Sequence, residues 1–298
     1  MRKIIPLNLI IIFVFFFQSD FIYTKNAISD DSLELEAILE KCAEYSERLE
    51  SASLFLVCKE KISETVCVGP WRGTRRAWTL LPDRVKKKIL FGEPSWENSK
   101  LLVKNDFVYD YQLIKEKENT DIEEMRVLIE ENGSPKNKKN AKLETRFAHK
   151  YIVLGPATLL SRIMQPLHDY KIIEGQDAQQ ENLIVLEAIP KAESDTTYLY
   201  GKIWVDKEDF CIRKILWDQG SIEGFDTLSN LAKGLDCTPS FHLEAEFGFE
   251  KNGIRFPSSY KLEEAYLDKN GVKLIKSKKT VEYYDYKFFT VEVEVRHN

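Results

Sequence analysis

The stretch FHLEAEFGFEKNGIRFPSSYKLEEAYLDKNGVKLIKSKKTVEYYDY, residues 241–286, decides the fold. It contains the pairs Asn252-Gly253 and Asn270-Gly271, each between segments in which apolar and polar residues alternate. Asn-Gly is the strongest two-residue signal for a β-hairpin, because both positions tolerate a positive φ. The stretch therefore predicts strands over 241–250, 254–267 and 272–286, each antiparallel to the next.

The first of these strands also shows how the sheet is covered. Its odd-numbered positions are all apolar: Phe241, Leu243, Ala245, Phe247 and Phe249. Its even-numbered positions include His242, Glu244, Glu246 and Glu250. Since side chains alternate between the faces of a strand, one face of the sheet is covered and the other faces solvent.

The rest of the chain extends the same pattern. A strand runs from Ser53 through Ile62, and polar turns at 117–121 and 206–209 join two more strand pairs. Connections this short give antiparallel neighbours, because parallel strands need crossovers of about a dozen residues or more. We expect a meander of roughly ten strands.

Three segments show helical patterns and can cover the apolar face: 32–50, 156–164 and 225–231. The first begins with a capping-box pattern, Asp31 and Glu34. These helices are few and short for such a sheet, so either the sheet curls onto itself or an apolar groove remains. We find no internal repeat and no long linker, only a lysine-rich loop at 134–142, and predict one domain over 28–298.

The N-terminus predicts export. Fourteen nearly all apolar residues, 4–17, follow Met1-Arg2-Lys3 and stop at Gln18-Ser19-Asp20. A helix of that length reaches about 21 Å, short of the roughly 30 Å of a membrane core. We therefore predict a signal peptide over 1–27 and a periplasmic location. The alternative is an uncleaved membrane anchor that extends over 21–23.

Charge and cysteines constrain the exported chain. Removing 1–27 deletes three cations and one anion, so the net charge moves from -5 to -7, which disfavours binding to nucleic acid. The five cysteines are Cys42, Cys58, Cys67, Cys211 and Cys237. Cys58 and Cys67 lie nine residues apart in one strand and cannot bond each other. Cys211 and Cys237 are the best candidates for a disulfide; the alternative is that all five are small buried apolar residues.

Motifs for catalysis and for metal binding are missing. The four histidines show none of the common zinc spacings, and there is no nucleophile elbow, Walker loop or dinucleotide fingerprint. The acidic pairs Glu123-Glu124 and Glu263-Glu264 place neighbours on opposite faces of a strand, and we interpret them as solvated surface. We predict a protein that is not an enzyme and that uses no metal and no cofactor.

Two segments are candidate lipid sites. Seven cations lie between Arg72 and Lys88 among apolar residues that include Trp71 and Trp78. We predict that Arg84, Lys86, Lys87 and Lys88 bind anionic headgroups of a membrane contacted peripherally, and that Trp71 and Trp78 contact lipid; the alternatives are a solvated strand pair and, less favoured, a nucleic-acid patch.

The other candidate is 151–164, in which Gly155-Pro156 breaks a strand and a helix follows. Leu159, Leu160, Ile163 and Met164 then form an apolar stripe, which predicts a lid over an acyl-chain cavity. The alternative is ordinary core packing.

Four segments in order, 54–60, 182–190, 200–206 and 283–291, resemble the LolA/LolB-like superfamily of outer-membrane lipoprotein-sorting proteins. The resemblance implies an α+β fold, a strongly curved antiparallel half-barrel whose apolar concave face is covered by helices and holds acyl chains, with no catalytic residue. It implies a carrier or binding protein for lipids or lipidated proteins. Two alternatives stay open: an envelope-stress sensor or interaction module with a protein partner, and an unrecognised hydrolase.

Overall fold

The computed structural model describes residues 30–67, 102–115, 122–173, 182–191, 199–222, 224–234 and 236–289. The helices are α1 (Asp30–Ser53), α2 (Gly155–Leu160) and α3 (Phe225–Lys233). The strands are β1 (Leu56–Cys67), β2 (Leu102–Lys115), β3 (Ile122–Glu131), β4 (Ser134–Lys138), β5 (His168–Ile172), β6 (Leu183–Pro190), β7 (Gly201–Asp206), β8 (Ile212–Trp217), β9 (Cys237–Glu246), β10 (Phe249–Lys251), β11 (Ile254–Phe256), β12 (Ser259–Asp268) and β13 (Lys273–Phe288).

Eleven strands form one open antiparallel sheet in the order β4-β3-β2-β1-β13-β12-β9-β8-β7-β6-β5. Most neighbouring strands in the sheet follow one another in the chain. The exceptions are β13, which pairs with β1, and β12, which pairs with β9 although β10 and β11 lie between them in the sequence. The prediction of an antiparallel sheet with few helices is confirmed.

The hairpin at Asn252-Gly253 has the predicted turn, with φ of 54° and 70° at its two residues. Its arms are shorter than predicted, because β10 and β11 form a separate two-stranded sheet. The main ladder breaks at Phe247, whose N–H donates to the Arg213 carbonyl, and resumes after Pro257, which has no N–H to donate.

The second Asn-Gly turn differs from the prediction. Only Gly271 has a positive φ, 77°. The Asp268 carboxylate accepts the N–H groups of Asn270 and Val272 at 2.8 and 2.9 Å. The loop is therefore longer than two residues, and β13 begins only at Lys273.

The lysine-rich segment 134–142 differs from the prediction of a loop. Residues 134–138 form β4, an edge strand paired with β3, rather than a loop. Asn132 and Gly133, with φ of 49° and 76°, make the tight turn between the two strands. The same Asn-Gly rule applied at this position predicts the turn.

The helices also differ in extent from the prediction. Helix α1 runs from Asp30 to Ser53, and α3 extends to Lys233. Helix α2 ends at Leu160, because Ser161 adopts an extended backbone with ψ of 154°. A 3₁₀ turn over Ile152–Leu154, and not a strand, precedes Gly155.

The core lies on one side of the main sheet, which we call the covered face. Buried residues of α1 and α2 pack there on the apolar side chains of the strands. All five cysteines are buried. Cys58 and Cys67 share β1 as predicted. Cys211 packs in this core and Cys237 in a separate small cluster with Ala232, Tyr266 and Leu274, so these two do not pair.

Among the described residues, no helix is both long and apolar enough to cross a membrane. The predicted signal segment 1–27 lies outside the described residues.

Candidate functional site

The covered face has two chemically different halves. Over β1–β3, β12 and β13 it carries buried ionised side chains, and we call this the charged half. Over β6–β9 it carries almost only aliphatic and aromatic side chains, and we call this the apolar half. The coil over 141–151, here called the crossing segment, lies over the charged half, whereas α1 and α2 close the apolar half.

Glu60 is at the centre of the charged half. It lies on β1 between Cys58 and Ile62, and its side chain is fully buried. Arg126 of β3 donates to its two oxygens at 2.6 and 3.1 Å, and Tyr283 donates to one of them at 3.1 Å. Burial alone would raise the pKa of Glu60, but His149 and Arg126 outweigh burial and lower it to about 2. Glu60 is therefore ionised at neutral pH.

His149 ties the crossing segment to this carboxylate. Its Nε2 lies 2.9 Å from Glu60, and its Nδ1 lies 3.1 Å from the Lys279 ammonium. Lys279 can only donate, so Nδ1 accepts and Nε2 carries the proton. Burial also lowers the pKa of His149, which agrees with a neutral ring.

Lys279 completes the arrangement on β13. Its ammonium donates to the Phe147 carbonyl as well as to His149. Burial lowers its pKa to about 8, an effect partly offset by Glu64 and Glu60. The charged half therefore contains a buried amine that titrates not far above neutral pH.

A second set of contacts fixes the start of the crossing segment. Arg146 donates to the two oxygens of Glu264 at 2.5 and 2.8 Å, and its backbone N–H donates to Glu64 at 2.8 Å. Glu264 also accepts hydrogen bonds from Tyr266 and Ser277. A forked guanidinium–carboxylate pair with further donors is the strongest form of such a contact.

The end of the crossing segment is held by Glu124 of β3. This carboxylate pairs with Arg126 at 2.9 Å and accepts the N–H of Tyr151 at 2.6 Å. Glu124 and Glu264 are thus buried ion-pair partners, and the interpretation of both acidic pairs as solvated surface is wrong. The opposite orientation of neighbours is confirmed at 263–264, because Glu263 pairs with Lys273 and Lys278 on the other face.

The charged half is built to hold a segment and not to receive a substrate. Glu60 and His149 are almost completely buried, so no reacting group can reach them. No group of ligating side chains suited to a metal ion occurs among the residues the structure describes. A cavity of about 200 Å³ beside β4 is lined by Glu131, Lys136, Lys138 and Glu144 among others, and it is smaller and more charged than a typical ligand pocket.

The apolar half is different in kind. Its sheet residues include Leu186, Ala188, Ile203, Ile215, Trp217, Leu243 and Ala245, and Leu159 and Leu160 of α2 pack against them. Trp217 is 5% exposed, and its indole Nε1 has no hydrogen-bond partner within the described part of the chain. A side chain at Gly155 would approach the Trp217 ring to 3.2 Å, so α2 lies directly against that indole.

The residues predicted to bind lipid differ in burial, and some of them lie outside the described residues. Leu159 and Leu160 are fully buried, Met164 is half-buried, and Ile163 is 73% exposed. The four do not form one stripe, because the helix ends at Leu160. Trp71, Trp78, Arg84, Lys86, Lys87 and Lys88 lie outside the described residues.

Sequence reasoning missed the charged half. Glu60 is separated from Arg126 by 66 residues and from His149 by 89. The alternation of side chains along β1 could have revealed it. Glu60 lies on the same strand face as Cys58 and Ile62, whereas Lys59 and Lys61 lie on the opposite face. A carboxylate between apolar residues on a buried face requires a compensating partner such as a buried cation.

The sequence matches no family model and no curated protein. One solved structure similar to this chain is that of a DUF1329 family protein from Desulfovibrio piger. It is 10% identical, the alignment covers 85% of this chain and 92% of that one, and the TM-score is 0.38. A likeness of this degree establishes neither a shared fold nor a function.

Proposed function

We propose that the protein is an exported, periplasmic carrier or binding protein without enzymatic activity. It holds the acyl chains of a lipid or lipidated protein against the apolar half of the covered face. In this proposal the sheet is a strongly curved half-barrel and α2 is the element that ligand displaces. The observation that supports it is the apolar half itself: a broad apolar sheet surface closed by the six residues of α2 beside α1.

Displacement of α2 costs little in the apolar half, because one apolar contact replaces another. An acyl chain gains about 0.8 kcal/mol per buried CH₂, so about ten methylenes supply roughly 8 kcal/mol before ordering costs. When α2 is displaced, the side chains of Leu159 and Leu160 leave the sheet and lose hydrophobic free energy of the same kind. Hydrocarbon can therefore exchange with these side chains without leaving a charge unpaired.

Trp217 supplies a polar contact in the same place. A buried donor without a partner costs about 1–3 kcal/mol, which a hydrogen bond to a ligand recovers. The carbonyl oxygen of a fatty acid or of an ester is an acceptor that such a donor can use. Trp217 thus favours a ligand with a carbonyl at the end of its chain over a pure hydrocarbon.

The basic segment 72–88 supports delivery to a membrane. Each cation near an anionic surface contributes about 1 kcal/mol, an effect that decays within a Debye length of roughly 8 Å. In this proposal Arg84, Lys86, Lys87 and Lys88 contact headgroups while the apolar half holds the chains.

The test uses protein isolated from the cell envelope. Native mass spectrometry should find lipid bound, and a fatty acid carrying a nitroxide near its carboxyl group should quench tryptophan emission in a saturable way. Trp217→Phe should lose most of the quenching and weaken binding by about 1–3 kcal/mol, the value of the lost hydrogen bond to the ligand. Leu160→Ala weakens the contact of α2 that the ligand replaces, so it should tighten binding. Ile163→Ala is the matched exposed control and should leave binding unchanged.

Absence of both bound lipid and saturable quenching would overturn the proposal. A stable protein partner without lipid would support the alternative of a sensor or interaction module. Turnover of an ester panel would support the hydrolase alternative.

A further inference from the structure

The two edges of the main sheet differ in how they are protected. At one edge β4 carries Pro135, Lys136 and Lys138, the residues that commonly prevent a sheet edge from pairing with another chain. At the other edge β5 has the sequence HDYKI, with no proline and one charge of each sign. Within the described part of the chain, the β5 edge therefore lacks the proline and the two lysines that protect β4.

The register of β5 shows which backbone groups point away from the sheet. Ile173 N–H donates to the Val185 carbonyl, and Lys191 N–H donates to the Leu167 carbonyl. Bonded and non-bonded pairs alternate along an antiparallel ladder, so residues 167, 169, 171 and 173 bond to β6. The N–H and C=O groups of Tyr170 and Ile172 consequently point outward.

The two charged side chains of β5 flank Tyr170, with the acidic Asp169 before it and the basic Lys171 after it. Asp169 and Lys171 lie on the face opposite Tyr170, and both are exposed. If a second copy pairs antiparallel with Tyr170 opposite Tyr170, then each Asp169 lies opposite a Lys171. Opposite charges directly across an antiparallel pair are stabilising.

We propose that β5 is the contact of a symmetric dimer, in which two copies of this chain join their sheets edge to edge about a two-fold axis through Tyr170. This inference does not depend on lipid binding. The two Tyr170 residues exchange a pair of backbone hydrogen bonds, and each Ile172 N–H points toward the other copy. A contact of this kind uses the same patch on both subunits.

The charges fit the dimer beyond the strand itself. Lys171 lies 2.6 Å from Glu187 of β6 within one copy. In the dimer it lies between Glu187 and Asp169 of the second copy, in a row that crosses the joined sheets. Ile172, which is 37% exposed, then lies diagonally across from Tyr170 of the second copy.

The test is sedimentation of the purified protein over a concentration series. We expect a dimer at micromolar concentration. Asp169→Lys places two lysines opposite each other and should give a monomer, as should Lys171→Asp. The double variant Asp169→Lys/Lys171→Asp again places opposite charges across from each other, with their positions exchanged, and should restore the dimer.

Ile172→Pro provides an independent test. Proline removes only an N–H that points outward, so the ladder with β6 remains and the protein should fold with unchanged secondary structure but sediment as a monomer. Lys136→Asp, on the opposite edge, is the control that should leave the dimer intact. A monomer at every concentration, a dimer that survives Ile172→Pro, or a double variant that stays monomeric would each overturn the proposal. Fatty-acid binding by Ile172→Pro keeps this outcome separate from the lipid proposal.

Discussion

The two halves of the covered face are closed by different forces. The charged half is closed by paired ions that are satisfied only in one geometry, because each carboxylate of the sheet accepts specific donors of the crossing segment. The apolar half is closed mainly by nonpolar contacts, which have no direction, and by a few hydrogen bonds such as that from the Tyr170 hydroxyl to the Leu159 carbonyl. Separating a buried ion pair leaves a charge without a partner, whereas hydrocarbon can replace hydrocarbon. The difference indicates that the charged half is fixed and the apolar half is the part that can open.

The largest expected effect is in the charged half. Arg126→Met should destabilise the protein by about 3–5 kcal/mol, because Glu60 then remains buried without its cation. Urea unfolding measures the loss. Lys61→Met on the same strand is the matched control: its pair with Glu282 is exposed, and the change should cost no more than about 1 kcal/mol. Equal losses for the two variants would mean that the charged half is no more fixed than the surface.

In the apolar half, Leu160→Ala should cost about 2–5 kcal/mol, because it leaves a cavity at a fully buried position. Ile163→Ala removes a side chain three residues along that is 73% exposed, and it should change stability by less than about 0.5 kcal/mol. Thermal unfolding of the two variants checks where the apolar cover ends. A large loss at Ile163 would show that the predicted stripe exists in solution.

Acid should weaken the charged half selectively. The pKa of Glu60 is about 2 in the folded protein and about 4.3 in an unfolded chain, so its stabilisation is present above the unfolded value. It is lost as pH falls from about 5 to 2 and amounts to roughly 3 kcal/mol over that range. The free energy of unfolding of Glu60→Gln should therefore vary less with pH than that of the parent. Parallel curves for the two proteins would contradict the assignment.

The sequence predicted the parts of the fold that depend on local pattern. Alternation along 241–246 and the turn at Asn252-Gly253 both follow from neighbouring residues, and both are confirmed. The end of α2 could not be predicted, because Leu159, Leu160, Ile163 and Met164 suit a continuing helix and only Ser161 departs from it.

The candidate site was predictable only in its apolar half. The burial of Leu159 and Leu160 follows from their hydrophobicity. The burial of Glu124 and Glu264, and not of Glu123 and Glu263, depends on partners far away in the chain. Adjacent glutamates in a strand are identical in local pattern, and the distant cation decides which one is buried.

The smallest expected effect concerns the polar bonds that hold α1 over the apolar half. Tyr45 donates to the Arg255 carbonyl of β11 at 2.8 Å, and Gln165 donates to the Leu39 carbonyl at 2.7 Å. The pairs of Arg162 with Glu40 and Glu47 are exposed and contribute little. Helix α1 is therefore held over the sheet mainly by nonpolar packing and by these two bonds.

Tyr45→Phe removes one of the two bonds and keeps the ring in place. It should cost about 1 kcal/mol, the usual value of a buried hydrogen bond, and lower Tm by a few degrees. Hydrogen exchange should rise in α1 and leave β1 and β13 unchanged, because the ion pairs of the charged half do not involve Tyr45. Tyr286→Phe, which removes a hydroxyl bonded to the Pro257 carbonyl at the end of β13, is a matched change that should not accelerate exchange in α1. If exchange in Tyr45→Phe rises equally in α1 and β1, the two halves open together and the distinction between a fixed half and an opening half fails.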